Sequence, residues 1–178
     1  LVEASRDPSY PAEIVFVASN KSDAVGLDFA KQCGIATTVV SHKDYSTREA
    51  FDAALNVELQ KHHLDLICCA GFMRIMTPVL IQPWQGRMLN IHPSLLPLYK
   101  GLHTHERALA DGAKVHGASM HFVSEELDGG EVIAQTEVPV LPDDTADTLS
   151  ARVLGIEHGL YVKALALVAS RQVQAKAS

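Results

Sequence analysis

Short apolar runs and helical stripes alternate along most of the chain. Ile14 to Ala18 is apolar throughout and short enough for a buried strand. Ser22-Asp23 can cap a helix running to Cys33, with Gly34 as its stop. Thr37 to Val40 reads as a second strand. Ser46-Thr47-Arg48-Glu49 fits a capping box, and Phe51, Leu55 and Leu59 repeat behind it at helical spacing. Leu64 to Ala70 is a third apolar strand. Thr77-Pro78 opens a short helix, with Thr as cap and Pro at the first helical position. Met88 to Ile91 is a fourth strand, and His105 to Ala110 reads as a helix ending near Gly112. This rhythm predicts an α/β fold with a doubly wound, mostly parallel sheet. Beyond Gly112 the pattern changes. Gly117 to Val123 and Val132 to Val138 read as strands with no room for a helix between them, so they should pair antiparallel and extend the sheet. The last helix starts near Asp144-Thr145, with Leu149, Val153, Ile156, Leu160, Ala164 and Leu167 on one face. No repeat, linker or low-complexity stretch divides residues 1–178, which read as one domain.

Composition narrows the function. Hydrophobic residues make up 47% of the 178, enough for a folded core. The net charge of −6 argues against a general nucleic-acid surface, though not against a local basic patch. No apolar run reads as long enough to cross a bilayer, and no signal peptide is visible. Cys33, Cys68 and Cys69 read as reduced core residues, which makes the cytoplasm the expected compartment. Nine histidines invite a metal reading, but His103-x-His105, His116 and His121 have no Cys or acidic partner at a usual ligand spacing, so no metal is expected. His62-His63 reads as a solvated helix end. The opening Leu1-Val2-Glu3-Ala4 reads as the last turn of a helix that begins upstream.

The chemistry gathers at the fourth strand. Asn90 and His92, two residues apart, face the same way at its exit. In open α/β sheets ligands bind outside the carboxyl ends of the strands. Gly71-Phe72-Met73-Arg74, past the third strand, reaches the same rim. In Ser124 to Gly130, Asp128 precedes two glycines, and a sharp turn there can bring its carboxylate inward. A carboxylate steadies and orients an imidazole, the imidazole moves protons, and an amide can donate to a developing oxyanion. The set suits attack on a carbonyl-like carbon by a substrate amine, with no covalent nucleophile from the protein. Asn-x-His at a strand end also fits an ordinary turn network, and Asp-Gly-Gly a plain turn.

Taken together, "NIHPSLLP", "KGLHTHERAL" and "HGASMHFVSEELDGG" resemble phosphoribosylglycinamide formyltransferase, a folate-dependent enzyme family of purine synthesis. "SNKSDAVGL", "AGFMRIM" and "ARVLGIEH" agree in the same order. The resemblance implies a Rossmann-like formyltransferase fold. It also implies 10-formyltetrahydrofolate as co-substrate, glycinamide ribonucleotide as acceptor, and a monomer or weak homodimer. By motif, Asn90 stabilises the oxyanion, His92 is the general acid/base, and Asp128 supports the charged imidazole. Arg48 and the segment Met73, Arg74, Ile75 and Met76 correspond to the folate site, together with Asn90, and Glu157 to a contact with the nucleotide. From the residues alone, Arg48 is equally a first-turn helix arginine, Met73 and Met76 are equally core, and Glu157 is a solvated helix position. His121 falls near the site without an assigned role.

The family also begins with a strand and a Gly-Ser-Asn loop that holds the substrate phosphate. No such loop, G-x-G-x-x-G or P-loop occurs here, so a central strand and this turn are expected upstream of Leu1, and the C-terminus reads as early. Two relatives share the core residues. Methionyl-tRNA formyltransferase has Gly-Ala-Ala-Pro where this chain has Gly101-Leu102-His103-Thr104, and adds a basic tRNA domain. Formyltetrahydrofolate hydrolase has a second His where this chain has Pro93. A hydrolase, or a folate- or nucleotide-binding module without catalysis, stands as the alternative.

Overall fold

The computed structural model describes residues 1–177. Among these residues six strands and five α-helices follow one another: β1 (Phe16–Ser19), α1 (Val25–Gln32), β2 (Ala36–Val39), α2 (Arg48–Gln60), β3 (Ile67–Cys69), α3 (Pro78–Ile81), β4 (Met88–His92), α4 (Thr104–Ala110), β5 (Val115–Phe122), β6 (Val132–Pro139) and α5 (Ala146–Ala177). The α/β alternation and the antiparallel extension are as the sequence predicts. β1 and β3 are shorter than their apolar runs, β2 keeps its predicted length one residue earlier, and β4 extends through His92.

The sheet is divided. β1 pairs only with β2, in parallel, while β3, β4, β5 and β6 form a separate four-stranded sheet. There β3 and β4 are parallel, and β5 and β6 follow antiparallel. A cavity of about 700 Å³ is lined by β1 from one side and by β3 from the other, together with Leu27, Leu55 and Met88.

Helix starts agree with the sequence reading in part: Thr77 precedes Pro78 and α3 as predicted, while other starts and the capping bonds differ. Ala24, not Ser22-Asp23, precedes α1, without a side-chain cap. Thr47 Oγ1 accepts the Ala50 amide at 3.1 Å, so the N-cap is one residue later than a Ser46–Glu49 box requires. Ahead of α3 the Thr77 hydroxyl caps nothing; buried Asp52 of α2 accepts the Thr77 amide at 2.6 Å instead. His103, in left-handed geometry at φ 59°, precedes α4, and His105 lies within that helix. Leu1 to Arg6 ends in a 3-10 turn. His62 is not simply solvated: its ring stacks on Phe16 at 3.6 Å.

Two apolar clusters hold the layers together. One seats α5 on β4, β5 and β6 through Leu89, Ala118, Met120, Leu149, Val153, Leu160 and Ala164. Burial of each such leucine contributes roughly 1.5–3 kcal/mol. Leu167 of the predicted stripe faces outward, and Leu165 and Val168 are buried in its place. By length and hydropathy α5 does meet the criteria for a bilayer span, contrary to the sequence reading, but its apolar stripe is used against the sheet. The other cluster joins Phe51, Leu55, Leu80, Trp84 and Met88. Buried Tyr161 of α5 donates toward the carbonyls of Cys69 at 2.8 Å and Leu89 at 3.3 Å, tying β3 and β4 to the helix just behind the site.

Candidate active site

Strand register assembles the site. Asn90 of β4 lies opposite His121 of β5, and His92 opposite Ser119. Directly opposed residues share a face of the sheet, so two catalytic candidates and two partners project together. The β5–β6 connection adds the carboxylate. Asp128 has φ 50°, a left-handed conformation that Asp tolerates better than most residues. Gly130 lets this turn lie directly on the end of β5, since a Cβ there would come within 1.8 Å of the Phe122 carbonyl oxygen.

Asp128 Oδ2 accepts the Gly101 amide at 2.9 Å and lies 3.4 Å from His92 Nδ1. Both side chains are less than a tenth exposed. His92 Nε2 sits 2.9 Å from the Tyr99 carbonyl, which can only accept, so Nε2 carries a proton. With a carbonyl at one ring nitrogen and a carboxylate at the other, the doubly protonated ring satisfies both contacts. That arrangement suits a proton donor whose charge the carboxylate balances.

His121, which the sequence left without a role, contacts Asn90 and Asp128. Its Nδ1 lies 2.9 Å from the Phe122 carbonyl and must be the protonated nitrogen, leaving Nε2 to accept from Asn90 Nδ2 at 3.3 Å. Burial pushes His121 below the ordinary histidine range, against the Phe122 carbonyl and the Asp128 charge, and this favours the neutral acceptor. One amide hydrogen of Asn90 is thereby fixed, and the other is left for a ligand. His121 Nε2 is also 3.7 Å from Asp128 Oδ1.

Of the remaining predicted residues, Glu157 feels the charge of His92, and the others lie on separate segments. Glu157 of α5 is half-buried; burial raises its carboxyl pKa, and the charges of His158 and His92 oppose the rise. Past β3, Met73 and Ile75 are exposed, Arg74 sits 5.3 Å over the Phe51 ring, and Met76 packs on the second cluster. Met73 is therefore not core, and with Ile75 it offers apolar surface to a ligand. Arg48 is exposed at the first turn of α2. Among the described residues no group of three or more His, Cys, Asp or Glu is placed to hold a metal.

His105 Nδ1 and His116 Nε2 are 3.2 Å apart, and burial lowers His116 to about 4. Between about 4 and the ordinary 6.5 the unfolded chain binds a proton here that the folded chain does not. Stability should fall as pH drops through that window and level off below it. The contribution is about 3 kcal/mol at most. Urea unfolding at several pH values should show this slope, and His116→Gln should make it shallower, the remainder coming from His105 and His121, which burial also lowers; an equally steep variant would remove His116 as a source.

Comparison with known proteins matches residues 1–165 to Formyl transferase. The chain belongs to the formyl transferase family. It is 46% identical over 161 residues to the phosphoribosylglycinamide formyltransferase of Escherichia coli (strain K12), covering 90% of this chain and 76% of that one. The crystal structure of phosphoribosylglycinamide formyltransferase from Brucella melitensis superposes with a TM-score of 0.89 at 50% identity, covering 95% of this chain and 87% of that one. The human trifunctional purine biosynthetic protein adenosine-3 is 48% identical over 174 residues, which cover 98% of this chain and only 17% of that longer protein. This formyltransferase chain thus has the Rossmann-like transferase fold that its motifs imply.

Proposed function

We propose that the protein transfers the formyl group of 10-formyltetrahydrofolate to the amine of glycinamide ribonucleotide, a step of de novo purine biosynthesis. The observation that carries this reading is the contact of His92 with Asp128 beside the Asn90 amide, all at one strand end. The amine lone pair attacks the formyl carbon and the carbonyl π electrons move to oxygen. The free amide hydrogen of Asn90 stabilises that oxyanion, an effect worth about 10²–10³ in rate. The bond from carbon to the folate nitrogen then breaks; that nitrogen takes the Nε2 proton of His92, which leaves the Tyr99 carbonyl while Nδ1 stays with Asp128, and the proton lost by the amine restores the imidazolium. Asp128 stabilises the charged ring throughout and assists proton return through water. Arg48 and the backbone and apolar side chains of Met73 to Met76 hold the folate, and Glu157 contacts the nucleotide.

The free edges of β1 and β3 around one cavity fit a further strand. We assign it to a segment upstream of Leu1 that also brings a Gly/Ser/Asn turn for the substrate phosphate. The reduced cysteines fit a cytoplasmic enzyme.

Incubating the intact protein with both substrates should yield the formylated nucleotide and tetrahydrofolate in equal amounts. Formate release from formyl-folate alone, at the rate of the full reaction, would establish the hydrolase instead. Tight folate binding without either product would leave a binding module.

A further inference from the structure

The row across the sheet that begins at His92 continues beyond Ser119. His92 lies opposite Ser119, and Ser119 opposite Gln135 of β6. Ser119 is fully buried and its hydroxyl is saturated. It donates to the Ser94 carbonyl at 2.6 Å and accepts from the Leu96 amide at 2.9 Å and from Gln135 Nε2 at 2.7 Å. Gln135 Nε2 also lies 3.0 Å from the Leu96 carbonyl. One amide group therefore holds both the hydroxyl and the turn that the hydroxyl binds.

The turn in question leads from His92 back to His92. Its Ser94 hydroxyl donates to the Leu98 carbonyl at 2.6 Å. The next carbonyl, that of Tyr99, is the partner of His92 Nε2. Tyr99 has φ 55°, rare for a tyrosine, so the surrounding turn must hold the direction of that carbonyl. The Gln135 side-chain bonds go to Leu96 and Ser119, and neither involves Asn90, His92 or Asp128.

We propose that Gln135 is a positioning residue for formyl transfer: through Ser119 and Leu96 it holds the 93–100 turn in the shape that aims the Tyr99 carbonyl at His92. This rests on the role given to His92 under the proposed function. Without the Gln135 donor the turn relaxes, the Tyr99 carbonyl drifts, and the ring loses the contact that fixes its rotation. Small misplacements of this kind are costly to chemistry and nearly neutral for binding.

The test compares Gln135→Leu, Gln135→Glu and Gln135→Lys in the intact protein. Leu and Glu remove the donor, and Lys returns one at similar reach. In Leu and Glu, kcat should fall about ten- to a hundredfold while KM for both substrates stays within about twofold, with partial recovery in Lys. The ring-nitrogen NMR signals of His92 should shift in Leu and Glu, and this can be read even where a variant is less stable. Wild-type kcat in the Leu variant, or lost kcat with unchanged His92 signals, would overturn the positioning role. Absence of transfer by the wild-type protein would instead sink the reading of the whole site.

Discussion

Replacing His92 with alanine is expected to lower turnover by about two to four orders of magnitude, the usual range for a general acid/base. Folate affinity should change little, because the surfaces assigned to folate, Arg48 and Met73 to Met76, lie on other segments of the chain. The loss has two parts. The leaving nitrogen no longer receives a proton, and Asp128 faces a gap where a charged ring stood. The second part identifies the group: Asp128 would keep the Gly101 amide at 2.9 Å and His121 at 3.7 Å, and lose the His92 ring. Single-turnover rates and calorimetric binding of a folate analogue separate the two quantities. Turnover within about threefold of wild type would remove His92 from the acid/base role. A matching collapse of folate binding would show that the alanine had disturbed the pocket and not the chemistry.

Substituting Gly130 with alanine should be nearly as damaging, although Gly130 takes no part in the reaction. Its Cβ would lie 1.8 Å from the Phe122 carbonyl oxygen and 2.8 Å from the carbonyl carbon, both backbone atoms. Neither can rotate away, so the turn from Ser124 to Gly130 must lift off the end of β5. Asp128 is carried by that turn, and a displacement of about 1 Å costs on the order of a hundredfold in rate. A stability loss of about 1–3 kcal/mol should accompany it, as for other overpacked sites. Thermal unfolding and kcat measured on one preparation check both effects. A variant with unchanged Tm and wild-type kcat would mean that the turn has more room than the structure gives it.

How much was legible in the sequence follows from what each residue depends on. Asn90 and His92 could be found because two-residue periodicity alone puts them on one face. Asp128 could be found because two glycines behind a carboxylate mark a turn. His121 lies on the same sheet, yet its contact with Asn90 is a matter of cross-strand register, which a single strand does not encode. The same holds for Ser119 and Gln135. The Tyr99 carbonyl and the Gly101 amide were out of reach because backbone groups have no letter of their own. Leu167 was misplaced because the side of the helix that meets the sheet is set by packing in space, and there Leu165 and Val168 are the buried residues. Thr77 keeps its predicted place ahead of α3, but the bonds made at Thr47 and Thr77 could not be read, because the partner, an amide one residue along or Asp52 from α2, is visible only in space.

The opening between β1 and β3 lies apart from the groups proposed to move protons. Asn90, His92, Asp128 and Glu157 belong to β4, to the β5–β6 connection and to α5. His92 and Asp128 meet at 3.4 Å with that opening still present, so their approach does not depend on what fills it. A strand seated between β1 and β3 therefore bears on the stability of the fold and on substrate capture, and leaves the encounter of imidazole and carboxylate as it stands.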